Sequence, residues 1–213
     1  LIPPEAKTNQ AILLLHGLNE RNWEKYLPWA YTLAVETRKP VVLFPIAFHI
    51  NRAPQSWNDP RKMMALSKKR SKRYPDIQKS SYQNLAISER LTNAPQRFLA
   101  AGSQSAADVI RLLKSIQHGA HPHFQANTRV DFMAYSIGAF LTQILMLANP
   151  DHLMDHARIM LLCGGTELSE MHGDSKFIMD SVAFNRVKNY YTRELEEDAK
   201  RHKRLQQILS GSK

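Results

Sequence analysis

The sequence predicts a parallel-sheet α/β fold. Three observations carry this: short runs that are apolar at nearly every position, helical patterns between them, and an order in which the two alternate along the chain. The apolar runs are residues 11–15, 41–48, 130–135 and 159–163. Strands of that character are covered on both faces, as in parallel sheets flanked by helices. The first helical pattern, about 23–36, places Tyr26 or Leu27, Ala30, Tyr31, Ala34 and Val35 on one side and stops before Pro40. A second, 105–117, turns Val109, Ile110, Leu112, Leu113 and Ile116 inward, with Gly119 near the left-handed position that ends a helix. The third, 137–148, is apolar nearly all round and is expected to be central.

The 213 residues suffice for one sizeable core and are read as a single domain. The longest apolar runs are about eight residues, short of the ~18 a spanning helix requires. Cys163 is the only cysteine, so no internal disulfide forms; this points toward a cytoplasmic location and also permits a secreted protein without bridges. The net charge of +10 is concentrated: residues 61–73 hold seven cations and no carboxylate, leaving +3 for the rest of the chain. Basicity is therefore one local patch.

Two regions leave the strand–helix rhythm. Residues 50–100 are basic and rich in Asn, Pro, Ser and Gln, an excursion from the sheet containing short helices. From residue 166 onward only helical patterns appear, which reads as a helical cap or tail. Its segment 193–209 carries acids first and bases last, with Glu196 four residues before Lys200 and Glu197 four before Arg201, as suits a solvated helix.

The most informative stretch is Asp131-Phe132-Met133-Ala134-Tyr135-Ser136-Ile137-Gly138-Ala139-Phe140, where a buried strand turns directly into a buried helix with Ser136 at the corner. A serine exposing its Oγ there takes a strained backbone conformation, and the turn admits only small residues two positions before and after it. Ala134 and Gly138 meet that demand. This is the G-x-S-x-G nucleophile elbow with Ala in the first Gly position. A nucleophilic serine needs an oxyanion hole, supplied by the amide of the following residue, Ile137, and by a second amide after an earlier strand, where His16-Gly17-Leu18-Asn19 lies. The structural alternative is a serine that only caps the helix.

At this point the chain resembles the α/β-hydrolase superfamily: a strand ending in His-Gly, a helix, a second strand ending near Pro, then the elbow and a further strand. The resemblance is closest to an uncharacterised group of bacterial α/β-hydrolase-like proteins, through Leu-His-Gly-Leu-Asn-Glu-Arg (15–21), Phe-Pro-Ile-Ala-Phe-His (44–49), Asn-Arg-Ala-Pro (51–54) and Ala-Tyr-Ser-Ile-Gly-Ala-Phe (134–140). It implies a serine hydrolase acting on a small-molecule or peptide ester or amide. Leu18 then donates the second oxyanion N–H, His16 has a structural role, and no cofactor or metal takes part. A base and an acid are expected after Ser136 in the order Ser, acid, His. His152, His156, His172 and His202 are candidates for the base, and Glu167, Asp174 and Asp180 for the acid. His172, in a Gly-containing loop, and Glu167, after Gly164-Gly165, are the preferred pair, although a surface histidine and a helix-start carboxylate are the plainer readings. Strands the family carries before residue 11 and after 163 are missing, so the fold is expected to be incomplete: a piece of a longer chain, a sheet completed by a partner, or a non-catalytic interaction module.

Other signals are read structurally. His118, His121 and His123, and the i, i+4 pair His152 and His156, lack the Cys or Glu spacing of a zinc site. Cys163, ending a strand, is expected in the core, and Trp23, Trp29 and Trp57 are expected to pack helices on the sheet. The basic run is expected to be a solvated cover with some attraction for anionic substrates. Nucleic acid is not the expected partner, since no reader motif accompanies the cations. A nucleic-acid-associated protein using that run is the alternative of a different class.

Overall fold

A computed structural model of the chain describes residues 8–164 and 170–201. The chain divides into two compact units, residues 1–55 with 100–165, and 56–99 with 166–213.

The first unit is a parallel α/β sheet. Its strands are β1 (Thr8–Leu15), β2 (Val41–Phe44), β3 (Phe124–Tyr135) and β4 (Ile159–Leu162), ordered β2-β1-β3-β4 with every pair parallel. Helix α1 (Leu27–Thr37) connects β1 to β2. Central β1 is buried on both faces. Ala11, Leu13 and Leu15 pack with Val130, Phe132 and Ala134 under the helices described below, while Ile12 and Leu14 pack with Tyr26, Ala30, Trp23 and Trp29. Alternating side chains thus serve two cores, which is why the run shows no polar positions.

Helices α2 (Pro60–Arg73) and α3 (Leu85–Asn93) belong to the second unit. Helix α4 (Arg97–Gln117), mostly in the sheet unit, buries Ser105, Val109, Leu113 and Ile116. Helix α5 (Ile137–Ala148) follows β3 and buries Ala139, Leu141 and Leu145 against the same sheet face as α4. The chain passes from β1 outward to β2, then returns to β3 on the other side of β1. Winding direction therefore reverses between β1 and β3, and the carboxyl ends flanking such a switch are where ligands bind in open α/β sheets.

Several boundaries differ from expectation. Strand β2 ends at Phe44, because Pro45 has no N–H for a ladder bond. Helix α4 begins eight residues earlier than the sequence suggests, at Arg97. Residues 150–156 form a short turn with left-handed Asp151 and His152, so His152 and His156 do not share a helical face. Cys163 is exposed rather than in the core: β4 is the edge of the described sheet, and the backbone after it turns left-handed at φ 51°. Trp57 packs with Met63, Leu85 and Ala86 in the second unit.

The second unit is helical and is completed by α6 (Ser181–Asn189), a π-helical stretch (Tyr190–Glu194) and α7 (Leu195–Arg201). In α7, Lys200 pairs with Glu197, three residues earlier. The unit is organised by one buried ion pair. Arg70 on α2 is 2% exposed and makes two bonds of 2.7 and 2.8 Å to Asp180, which is fully buried. Its remaining donors reach Glu89 at 2.7 Å and Thr92 at 2.8 Å on α3. Asp180 also caps α6 by accepting from Ala183 N–H at 2.9 Å, and its own N–H donates to Ser88 at 3.0 Å. Three helices converge on one guanidinium. Asp180→Ala leaves that cation buried and half-paired, and is expected to destabilise the protein by about 3–5 kcal/mol in urea unfolding. Arg70→Met added to Asp180→Ala is expected to recover part of the loss; equal stability of wild type and Asp180→Ala would exclude this role.

Candidate functional site

The sequence demands a sharp corner at Ser136, and the backbone there has φ 55° and ψ −116°, a region that residues with a side chain rarely occupy. The corner is held from three sides. Ser136 N–H donates to Leu162 O on β4 at 2.9 Å, Phe140 N–H donates to Ser136 O at 3.0 Å as α5 begins, and Gly138 N–H donates to His16 O on the β1 turn at 3.2 Å. A Cβ on Gly138 would lie 2.7 Å from Leu15 Cβ and 2.8 Å from the carbonyl oxygens of Leu15 and His16. The small residue two positions after the serine is thus a packing requirement, and Ala134, two before, is fully buried. Ser136 is only partly buried, and its side chain does not cap α5.

The β1 turn lies beside this corner. His16 is fully buried; its Nε2 accepts from Ile46 N–H at 2.9 Å, so Nδ1 carries the proton and donates to Gly17 O at 2.8 Å. Both ring nitrogens are occupied within the fold. Burial lowers its pKa to about 4, and the ring is neutral. Gly17 N–H donates to the Tyr26 hydroxyl at 2.8 Å, and that hydroxyl donates to Glu20 Oε1 at 2.7 Å. Burial first, and then the bond to Glu20, push the Tyr26 phenol far up, so it remains a donor. Lys25 reaches the same Glu20 oxygen at 3.1 Å and lies 4.1 Å above the Tyr135 ring. A Cβ on Gly17 would come within 3.0 Å of that ring. With the Gly17 amide engaged, the next N–H, that of Leu18, has no acceptor among the described residues, and neither does that of Ile137. Ile137 is the first residue of α5, where an unpaired N–H is the rule.

Sequence reasoning gave no role to His49. Its Nδ1 donates to Ala47 O at 2.9 Å, while Nε2 is buried without a partner among the described residues. Phe48 and Ile50 on either side have φ of 65° and 50°, uncommon for residues with bulky or branched side chains. The ring centroid lies 5.2 Å from that of His16, and Ile50 N–H donates to Glu20 O at 3.1 Å, tying this loop to the β1 turn. Burial, followed by the neighbouring His16, lowers the His49 pKa to about 4. The one sequence signal for it is its place in the Phe-Pro-Ile-Ala-Phe-His segment; the contacts come from elements far apart in the chain.

The candidates for base and acid lie in other parts of the chain than the Ser136 corner. His172 is exposed on the second unit, next to Gly173, which is pressed against the Phe184 ring. Glu167 and His202 lie outside the described residues. Asp180 is committed to Arg70, and Asp174 pairs with Lys79 at 2.9 Å. Among the described residues no three His, Cys, Asp or Glu side chains gather as a metal would require, and no helix is long and apolar enough to cross a membrane.

Two measurable consequences follow from this geometry. Ser136→Gly removes a Cβ from a backbone region suited to glycine and is expected to raise stability by about 1 kcal/mol in denaturant unfolding, whereas Ser136→Ala keeps the strain and gains nothing. His16 and His49 have folded pKa values near 4, below their ordinary 6.5, so the unfolded chain binds more protons between those values. Their contribution is complete above pH 6.5 and is lost as pH falls toward 4. His49→Phe is expected to flatten that acid decline in unfolding midpoint, and an unchanged slope would contradict a neutral buried His49.

No curated protein and no solved structure matches the chain. A model of a family of unknown function, DUF6051, matches residues 3–210. The chain, a parallel α/β sheet with a sharp Ser136 corner, therefore belongs to the DUF6051 family.

Proposed function

We propose that the chain is a serine hydrolase of the α/β-hydrolase type, with Ser136 as the nucleophile. The supporting observation is the conformation of Ser136, φ 55° and ψ −116°, held at the carboxyl end of β3 beside the β1 turn. Strained residues cluster at active sites, and this serine lies at a topological switch point, where open α/β sheets gather functional groups. In this reading Ser136 Oγ attacks the carbonyl carbon of an ester or amide while its proton passes to a base. The carbonyl oxygen becomes an oxyanion that accepts hydrogen bonds from the N–H groups of Leu18 and Ile137. Collapse of the tetrahedral intermediate expels the protonated alcohol or amine and leaves an acyl-Ser136 ester; water then releases the acid and regenerates the hydroxyl.

The turn that offers Leu18 N–H is fixed before substrate arrives. Tyr26 occupies the Gly17 amide, and His16 locks the Gly17 carbonyl and the loop after β2. Preorganised donors of this kind act on the charge that develops in the transition state, since they need no reorganisation as it forms. His16 does not serve as the base, because both of its ring nitrogens are engaged. His172 as base and Glu167 as the acid that orients it complete the proposal.

The test is labelling of the purified chain with a fluorophosphonate probe. Wild type is expected to be labelled at Ser136, with Ser136→Ala and Ser136→Gly unlabelled. A folded wild type, judged by circular dichroism, that takes no label would favour a non-catalytic interaction module.

A further inference from the structure

Helix α2 carries six exposed cations, Arg61, Lys62, Lys68, Lys69, Lys72 and Arg73. The seventh, Arg70, is turned inward onto Asp180 and Glu89 and so fixes the rotation of the helix. With 3.6 residues per turn, the exposed six fall into two rows. Arg61, Lys68 and Lys72 form one; Lys62, Lys69 and Arg73 form the other, about 100° round the helix. Both rows have steps of seven and four residues, roughly 10.5 and 6 Å at ~1.5 Å per residue. A nucleic-acid strand carries one phosphate per ~3.4 Å of axis, so three and two nucleotides span about 10.2 and 6.8 Å.

Nothing in the helix itself accounts for this pattern. Lys72 and Arg73 suit the negative end of the helix dipole, but Arg61 and Lys62 sit in the first turn, where cations are disfavoured and the single carboxylate of the N-cap Asp59 faces two of them. Lys62 has only Asp59 at 3.9 Å, and Arg61, Lys68, Lys69 and Lys72 make no ion pair with a described residue. Lys68 with Lys72, and Lys69 with Arg73, are like-charge pairs at a repulsive spacing. The segment α7, with acids first and bases last, shows what a helix stabilised by its own charges looks like. Unrelieved repulsion on α2 is lowered by a polyanion. A membrane surface fits less well: Met63 and Leu66 face inward, and Met64 is the only large apolar side chain of α2 that is strongly exposed, so no apolar face is left to insert.

We propose that the outward face of α2 docks the phosphodiester backbone of a nucleic acid, through charge and spacing without base-specific contacts. This does not depend on the chemistry of Ser136. The test uses the full chain and fluorescence anisotropy with labelled 20-nucleotide single-stranded and 20-base-pair duplex oligonucleotides of arbitrary sequence. Wild type is expected to bind at 50 mM salt and to lose affinity by roughly 10²–10³-fold at 200 mM, as for about four to six neutralised phosphates. Lys68→Gln/Lys69→Gln/Lys72→Gln is expected to lower the slope of log affinity against log salt by about 3. The control Lys114→Gln/Lys176→Gln/Lys200→Gln, with the same net charge, is expected to bind like wild type. No binding at 50 mM salt overturns the proposal. So does an equal loss in the control variant, which would mean bulk charge alone, or binding to phosphatidylserine vesicles without binding to either oligonucleotide.

Discussion

The sheet unit depends on one close approach: the start of α5 lies against the turn that ends β1. Gly138 N–H donates to His16 O, and the space where its Cβ would stand is already filled by Leu15 and the Leu15 and His16 carbonyls. Once that contact is made, β3 cannot run smoothly into α5, because the first turn of the helix must swing over the end of the neighbouring strand. Ser136 absorbs the bend. Strain at Ser136 and the missing side chain at Gly138 are therefore two results of one steric constraint.

That contact also explains why the polar groups nearby are so fully assigned. A buried turn at the carboxyl end of β1 carries N–H and C=O groups that need partners. His16 satisfies the Ile46 amide and the Gly17 carbonyl, Tyr26 satisfies the Gly17 amide, and Glu20 takes the phenol proton. Against that background the positions without a partner among the described residues stand out: the amides of Leu18 and Ile137 and the Nε2 of His49. Ile137 directly follows Ser136, and Leu18 follows Gly17 on the β1 turn. The third is a buried lone pair beside His16, in a loop held by left-handed Phe48 and Ile50, and an unpaired buried acceptor costs about 1–3 kcal/mol. Such groups persist where packing over-determines them.

What the sequence made legible was local. The strands 11–15 and 130–135 could be found because both faces of each are buried, and the corner at Ser136 because Ala134 and Gly138 must be small. Harder to see was whatever depends on contacts between distant segments. Cys163 ends an apolar run, but its exposure is set by the position of β4 at the edge of the described sheet, which no local pattern encodes. His49 sits in a segment of no clear periodicity, and its isolation arises from a loop folded onto the turn of another strand. Arg70 looked like one more cation in a basic run; only its long-range bonds to Asp180 and Glu89 separate it from its neighbours.

Arg70 also shows how one residue type can serve two ends within a single helix. Its guanidinium is planar and forked, so it meets the two oxygens of Asp180 side by side and still has donors for Glu89 and Thr92. A lysine ammonium could not bridge α2, α3 and the start of α6 in that way. The anchored side sets which way the opposite face points, and every other cation of the run is thereby carried outward. Burying one charge with full compensation is what leaves six exposed and aligned, so the architecture of the second unit and the electrostatic character of its surface have the same origin.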